Sequence, residues 1–183
     1  MNVLDAIGNT ALVPLKSGVR VKLEMQNPTG SMKDRMAQAM IARPEADGRL
    51  KPGDTVVEYT GGTTGASLAL VCTVKGYRLR IVTSDAFSQE KRDQMAAFGA
   101  ELTIIPSAGG NTTKELILEM IATARKYSAE PNTYWTNQLE NRDSIAGYYP
   151  LGEEIWRQTN GEVEVYSCKA SARPRRCKAW PRC

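Results

Sequence analysis

The sequence predicts an α/β fold, a parallel sheet with helices on both faces, and three observations carry that prediction. Short runs rich in Val, Ile, Thr and Tyr alternate along the chain with stretches whose apolar residues recur at helical spacing. The links between them are short and marked by Gly and Pro, as they are when helical crossovers join parallel strands. The chain has 183 residues, enough for one domain or for one domain and part of another.

Each element has its own signal. Val19–Met25 alternates in polarity and reads as a strand. Ser31 is a suitable N-cap for a helix running to about Arg43, with Pro44 as its stop. A Lys51-Pro52-Gly53-Asp54 turn leads into a strand at Thr55–Tyr59. The glycine-rich Thr60–Gly65 then opens an apolar helix, Ala66–Lys75, stopped by Gly76. A strand at Arg80–Ser84 and a helix at Gln89–Phe98 follow, with Gly99 as C-cap. The strand Leu102–Ile105 passes through Ser107–Asn111 into a long helix, Thr112–Tyr127, whose Leu116, Ile117, Met120, Ile121 and Ala124 lie on one face. Beyond Asn132 the pattern is less regular: a strand at Tyr134–Thr136, a helix at Leu151–Gln158 and the start of a further strand at Gly161–Tyr166. Right-handed crossovers would gather the loops that follow the strands along one edge, the usual ligand edge of such sheets.

Composition narrows the chemistry. Hydrophobic residues make up 42% and charged residues 24%, ordinary for a globular protein. No apolar run approaches the roughly 20 residues that cross a bilayer. Asp5 stands where a signal peptide would be basic, so a cytoplasmic location and no membrane association are expected. Histidine is absent, which excludes Ser–His and Cys–His nucleophile pairs and histidine metal sites within this chain. Catalysis here would fall to lysine, carboxylates, hydroxyls or a cofactor.

Two stretches could carry chemistry. In Asn27–Arg35 a turn feeds a helix whose first turn holds Lys33. The lysine is either solvated or functional. A cation there is opposed by the helix macrodipole, which favours the neutral amine that Schiff-base chemistry needs. In Glu58–Ala66 a strand runs into a glycine-rich turn and a helix start, so N–H groups and hydroxyls converge: either an anion site or a structural turn. It is neither a Walker loop nor a dinucleotide fingerprint.

These motifs, in order, resemble the cysteine synthase (O-acetylserine sulfhydrylase) family of pyridoxal-phosphate enzymes, with their tryptophan synthase β-like fold. Asn27-Pro28-Thr29-Gly30-Ser31-Met32-Lys33-Asp34-Arg35 is similar to the family's lysine motif. Ile7–Val13 resembles its N-terminal signature, with Ala11 where proline is usual. Glu58–Ala66 sits where the family has its Glu-Pro-Thr-Ser-Gly-Asn-Thr-Gly loop; Gly99-Ala100-Glu101, Gln138–Asn141 and Gly152–Trp156 follow in family order. The resemblance covers roughly residues 5–165.

The resemblance implies fold-type II architecture. It places 1–33 at the start of a large domain, 34–140 as a small α/β domain and 141–166 as a return into an incomplete large domain. A basic tail would occupy 167–183. It also implies pyridoxal 5'-phosphate as cofactor, held by Lys33 as a Schiff base and contacted by Thr63. The substrate carboxylate would be held by Thr60, Gly61, Gly62, Thr64 and Gln138. The implied reaction is β-replacement through an aminoacrylate, making L-cysteine from O-acetylserine or a similar activated serine and sulfide. Related readings are a cystathionine β-synthase-like or serine/threonine dehydratase activity, or a non-catalytic fragment associating with a full-length homologue. A homodimer, and serine acetyltransferase as a partner, follow from the family. Departures are Gly61 and Thr63 where the family has Ser and Asn, and Arg142–Tyr149 in place of a Pro-rich stretch.

The end of the chain departs further. Through Glu164 there are 18 basic and 20 acidic residues; beyond it there are six basic residues and no acid. Cys168, Cys177 and Cys183 lie in this tail without CxxC spacing, so no zinc site is expected. The composition matches translation in a shifted frame, which would leave the chain truncated before the family's phosphate-binding loop. A solvated tail, or a nucleic-acid contact through its basic residues and Trp180, are the other readings, and nucleic acid is not expected as a partner.

Overall fold

The computed structural model of the chain describes residues 1–163. The basic tail and its three cysteines lie outside the described residues. Four parallel strands form the main sheet: β3 (Thr55–Tyr59), β4 (Arg78–Ser84), β5 (Glu101–Ile105) and β6 (Thr133–Trp135), in the order β5-β4-β3-β6. A separate antiparallel hairpin precedes it, β1 (Leu12–Pro14) with β2 (Arg20–Lys22), in register Val13 to Val21.

Helices cover both faces, as the sequence predicts. On one face α1 (Lys33–Asp47), α2 (Thr63–Lys75) and α3 (Gln89–Ala97) bury Met36, Met40, Ile41, Leu68, Val71 and Met95 against Val56, Leu79 and Ile81. On the other, α4 (Lys114–Ser128) lays Leu116, Met120 and Ala124 over Val57, Tyr59, Val82 and Ile105. Those three α4 residues are spaced by four, so one stripe is buried while Leu118 on another face stays exposed. α2 differs. It is wedged between α1, α3 and the sheet, and every residue from Thr64 to Cys72 is buried, which is why its sequence is apolar all round. β3 is covered on both faces, which accounts for its near-continuous apolar run. The exception is Glu58, fully buried in the strand.

Several boundaries differ from expectation. The strand expected at Val19–Met25 shortens to β2 because Glu24–Gln26 turn into a 3-10 helix. Ser31 is not the N-cap of α1; Met32 occupies that position, and Ser31 Oγ accepts from Lys33 N at 3.1 Å instead. Pro44 does not end α1. The helix continues one turn to Asp47 and stops at Gly48, which has φ 80, with Leu50 N donating to the Pro44 carbonyl. A proline removes one helical donor, but buried Met40, Ile41 and Pro44 hold that turn against the core. α2 starts at Thr63, three residues early, because the glycine turn closes at Gly62. Two short helices end the described chain, α5 (Asp143–Ala146), which had no sequence signal, and α6 (Tyr149–Gln158). Of the strand expected at Gly161–Tyr166, residues 161–163 form no strand and the rest lie outside the described residues.

Candidate active site

The N-termini of α1 and α2 meet beside the carboxyl end of β3. Asp34, the residue after Lys33, is fully buried and joins them. One of its oxygens accepts from Thr29 N at 2.8 Å; the other accepts from Ser67 Oγ at 2.6 Å and from the Thr29 hydroxyl. Ser67 also lies one turn from Thr63, with its Oγ 3.1 Å from the Thr63 carbonyl. The lysine-bearing turn is therefore fastened to the first turn of α2. Sequence reading passed over Asp34 and Ser67 as binding elements; the only sequence signal for Ser67 is its position four residues after Thr63.

Lys33 itself is half-buried at the first position of α1. Its Nζ lies 6.0 Å from the centroid of the Tyr148 ring, within cation–π range. Gly147 makes that approach possible: a Cβ there would sit 2.5 Å from the Arg35 carbonyl oxygen. The Arg142–Tyr149 stretch, which departs from the family pattern, thus supplies an aromatic neighbour to the lysine.

The glycine turn has Thr60 and Thr64 buried and Gly61 exposed. Gly62 adopts φ 148, open to glycine alone, and its N–H donates to Thr60 Oγ1 at 3.1 Å. Thr64 Oγ1 donates to Gln138 Oε1 at 2.7 Å, and Gln138 Nε2 donates to the Tyr59 carbonyl at 3.2 Å. Thr64 and Gln138, 74 positions apart, are thereby brought together, and Thr60, Gly61, Gly62 and Thr63 share their turn. A Cβ at Gly61 would lie 2.9 Å from the Phe87 ring, so Phe87 fills the space a side chain at 61 would use.

Behind the turn sits the Glu58 carboxyl. Its Oε1 accepts from Tyr59 N at 2.9 Å, and its Oε2 accepts from Gln138 N at 2.9 Å. Burial pushes its pKa up to about 7, against the opposing pull of the hydrogen bonds from Thr136, Gln138 and Tyr59. The single hydroxyl proton of Thr136 faces two acceptors, Glu58 Oε2 at 2.7 Å and the Val57 carbonyl at 3.1 Å. A protonated Glu58 would donate to Thr136 and leave that proton for Val57, which accords with the raised pKa.

Farther along α1, Arg35 anchors a buried ion network. It donates to Glu24 Oε2 at 2.7 Å and to Glu154 Oε1 at 2.7 Å, with second bonds to each carboxylate from Nη2. Lys22 Nζ lies 2.7 Å from Glu154 Oε2, and Asn9 N donates to the same carboxylate at 2.9 Å. Burial alone would raise Glu154, but the bonds from Arg35 and Lys22 outweigh it and hold the carboxyl at about 2. Glu24 is likewise held below its ordinary value despite burial, mainly by Arg35, and Arg35 is raised by its two carboxylates. Three sequence motifs that looked separate, Ile7–Val13, Lys33–Arg35 and Gly152–Trp156, converge on these charges. A cleft of about 460 Å³ lies beside the network, lined by Gln38, Arg43, Gly147 and Glu153 among others, on the α1 side away from the glycine turn.

A lysine at one helix start and a donor-rich glycine turn at the next lie together at the carboxyl end of a parallel sheet, the edge where such sheets usually bind ligands. The pyridoxal-phosphate dependent enzyme family model matches residues 3–172, and the chain belongs to that family. Pyridoxal phosphate is that family's cofactor. Cysteine synthase B of Salmonella typhimurium is 41% identical over 173 residues, covering 89% of this chain and 55% of that protein. Cysteine synthase B of Pseudomonas syringae is 38% identical over 168 residues, with 87% of this chain and 95% of the relative covered. Among solved structures, O-acetyl serine sulfhydrylase isoform 3 of Entamoeba histolytica superposes with a TM-score of 0.80 at 35% identity, over 88% of this chain and 50% of that one. The chain spans about half the length of most of the curated relatives it matches. Among the described residues no helix is long and apolar enough to cross a membrane.

Proposed function

We propose that the chain belongs to a β-replacement enzyme making L-cysteine from O-acetylserine, or a similarly activated serine, and sulfide, with Lys33 as the amine that holds the cofactor. The observation that supports this best is the joining of the Lys33 turn to the Thr60–Thr64 turn through Thr29, Asp34 and Ser67. It brings Lys33 and the Thr60–Thr64 turn to adjoining helix starts, which supports reading them as the amine and the anion cradle that an aldehyde cofactor and an amino-acid substrate require. Pyridoxal phosphate, when bound, supplies the aldehyde and a ring able to take up the electrons of a broken Cα–H bond.

The residues present fit that group. Lys33 would hold it covalently, and its amine, once displaced by substrate, would take the α-proton. Thr63 would contact the ring; a threonine is shorter than the asparagine common in the family. Thr60, Gly61, Gly62 and Thr64 would hold the substrate carboxylate with N–H groups and hydroxyls, and Gln138 would donate to it once its internal bonds are exchanged. Tyr148 would shield the amine from water. In the same reading, residues 34–140 form the smaller α/β domain, and 1–33 with the segment from 141 onward belong to the larger one. The working protein is a cytoplasmic homodimer acting on small amino acids, with serine acetyltransferase as its macromolecular partner.

The test is spectroscopic. Titrated with pyridoxal phosphate, the chain should gain the visible absorbance of a lysine-bound pyridoxal ring, reducible by borohydride onto Lys33, and Lys33→Ala should lose it. No absorbance in the parent chain at saturating cofactor would leave a non-catalytic binding module as the better reading.

A further inference from the structure

We propose that Glu58 is a positioning residue for the amino-acid carboxylate site, acting through Gln138. This rests on the reading above, in which Gln138 and Thr64 receive that carboxylate.

Glu58 is the only acidic residue in β3, and it is fully buried in a strand covered on both faces. A carboxyl group placed there is costly unless its oxygens are used. Both are. Each accepts one backbone N–H, Tyr59 on one side and Gln138 on the other, so the group spans from the last residue of β3 to the segment after β6. Tyr59 and Gln138 are also the two ends of the Gln138 Nε2 to Tyr59 carbonyl bond. The carboxyl thus fixes the backbone on both sides of the side chain that Thr64 meets. The Thr136 hydroxyl, hydrogen-bonded to the same oxygen at 2.7 Å, braces it from β6's end. Among the described residues no other hydrogen bond ties the Gln138 backbone N–H, and the pair is 80 positions apart in sequence.

The geometry also says what cannot replace it. A glutamine at 58 offers one oxygen and one NH2. It can serve Tyr59 N or Gln138 N but not both, so one donor is left facing another donor. Losing that bond should let Gln138 drift from Thr64, and preorganisation of the carboxylate site would fall with it.

Two measurements test this. In the chain without cofactor, Glu58→Gln should speed hydrogen exchange at the Gln138 N–H at least about tenfold, with the β4 amides unchanged. In the pyridoxal-phosphate-loaded chain, binding of L-serine, read by the change in visible absorbance, should weaken about tenfold while the lysine-bound absorbance is retained. If Glu58→Gln does not fold, Thr136→Val decides: a loss of L-serine affinity of about threefold supports the proposal and an unchanged affinity overturns it. Glu58→Gln binding L-serine as the parent does overturns this inference alone. A parent chain with no lysine-bound absorbance overturns the function on which it rests, and this inference with it.

Discussion

At the scale of single residues, one of the chain's departures from its family's motif has a steric partner. Gly61 stands where a serine is usual, and the Phe87 ring occupies the volume a Cβ there would need, at 2.9 Å. The two residues therefore belong together. Gly61→Ser alone should cost about 1–2 kcal/mol in urea unfolding, because the ring must leave its place. Adding Phe87→Ala should recover part of that cost, and a double-mutant cycle with purely additive terms would contradict the pairing. Gly65 is a sterner case. A Cβ there would approach Met95 Sδ to 2.2 Å and Thr60 Cγ2 to 2.7 Å, so Gly65→Ala should lower the thermal midpoint by several degrees. Lys33, the glycine turn and Gln138 could be picked from the sequence because each sits in a motif. Phe87, Ser67 and Tyr148 could not, since what qualifies them is who faces them.

At the scale of elements, the Arg35 network ties α1 to α6, to the hairpin and to the N-terminal segment. Removing one partner of a buried ion pair leaves the other charge uncompensated. Glu154→Gln should thus destabilise by about 3 kcal/mol, more than Glu154 and Arg35 replaced together by apolar residues of like volume. Chemical unfolding of the three chains measures this; equal losses would show that the network contributes little. Most strands and helices were legible in the sequence, because β3, β4 and α4 carry clear apolar periods. The misplacements share one cause. Pro44 reads as a stop and Ser31 as a cap by local preference, and tertiary contacts, the buried Met40–Pro44 face and the Asp34–Ser67 bond, override both.

At the scale of the whole molecule, two sets of carboxyls should shape stability against pH in opposite senses. Glu24 and Glu154 have folded pKa values below the unfolded one. Their contribution is full above about 4.5 and is lost as pH falls through about 2 for Glu154. Glu58 is the reverse. Its folded value is near 7, so its burial is unopposed below about 4.5, and stability declines as pH rises through about 7. Thermal midpoints taken across pH should therefore peak in the weakly acidic range. Glu58→Gln should flatten the alkaline arm, and Glu154→Gln the acid arm. An alkaline arm unaltered by Glu58→Gln would place the titrating group elsewhere.

The order of β-like and helical segments, the turn residues and the motifs were enough by themselves to determine a parallel α/β sheet and to single out a lysine and a glycine turn as a candidate site, because periodicity and turn chemistry are local properties that survive in one dimension. Only the tertiary structure decided which groups answer one another: Asp34 to Ser67, Glu58 to Gln138, Arg35 to Glu154, Phe87 to Gly61. Those partners lie between 26 and 119 positions apart, and a buried polar group chooses its partner by the space and hydrogen-bond geometry around it, which no local pattern records.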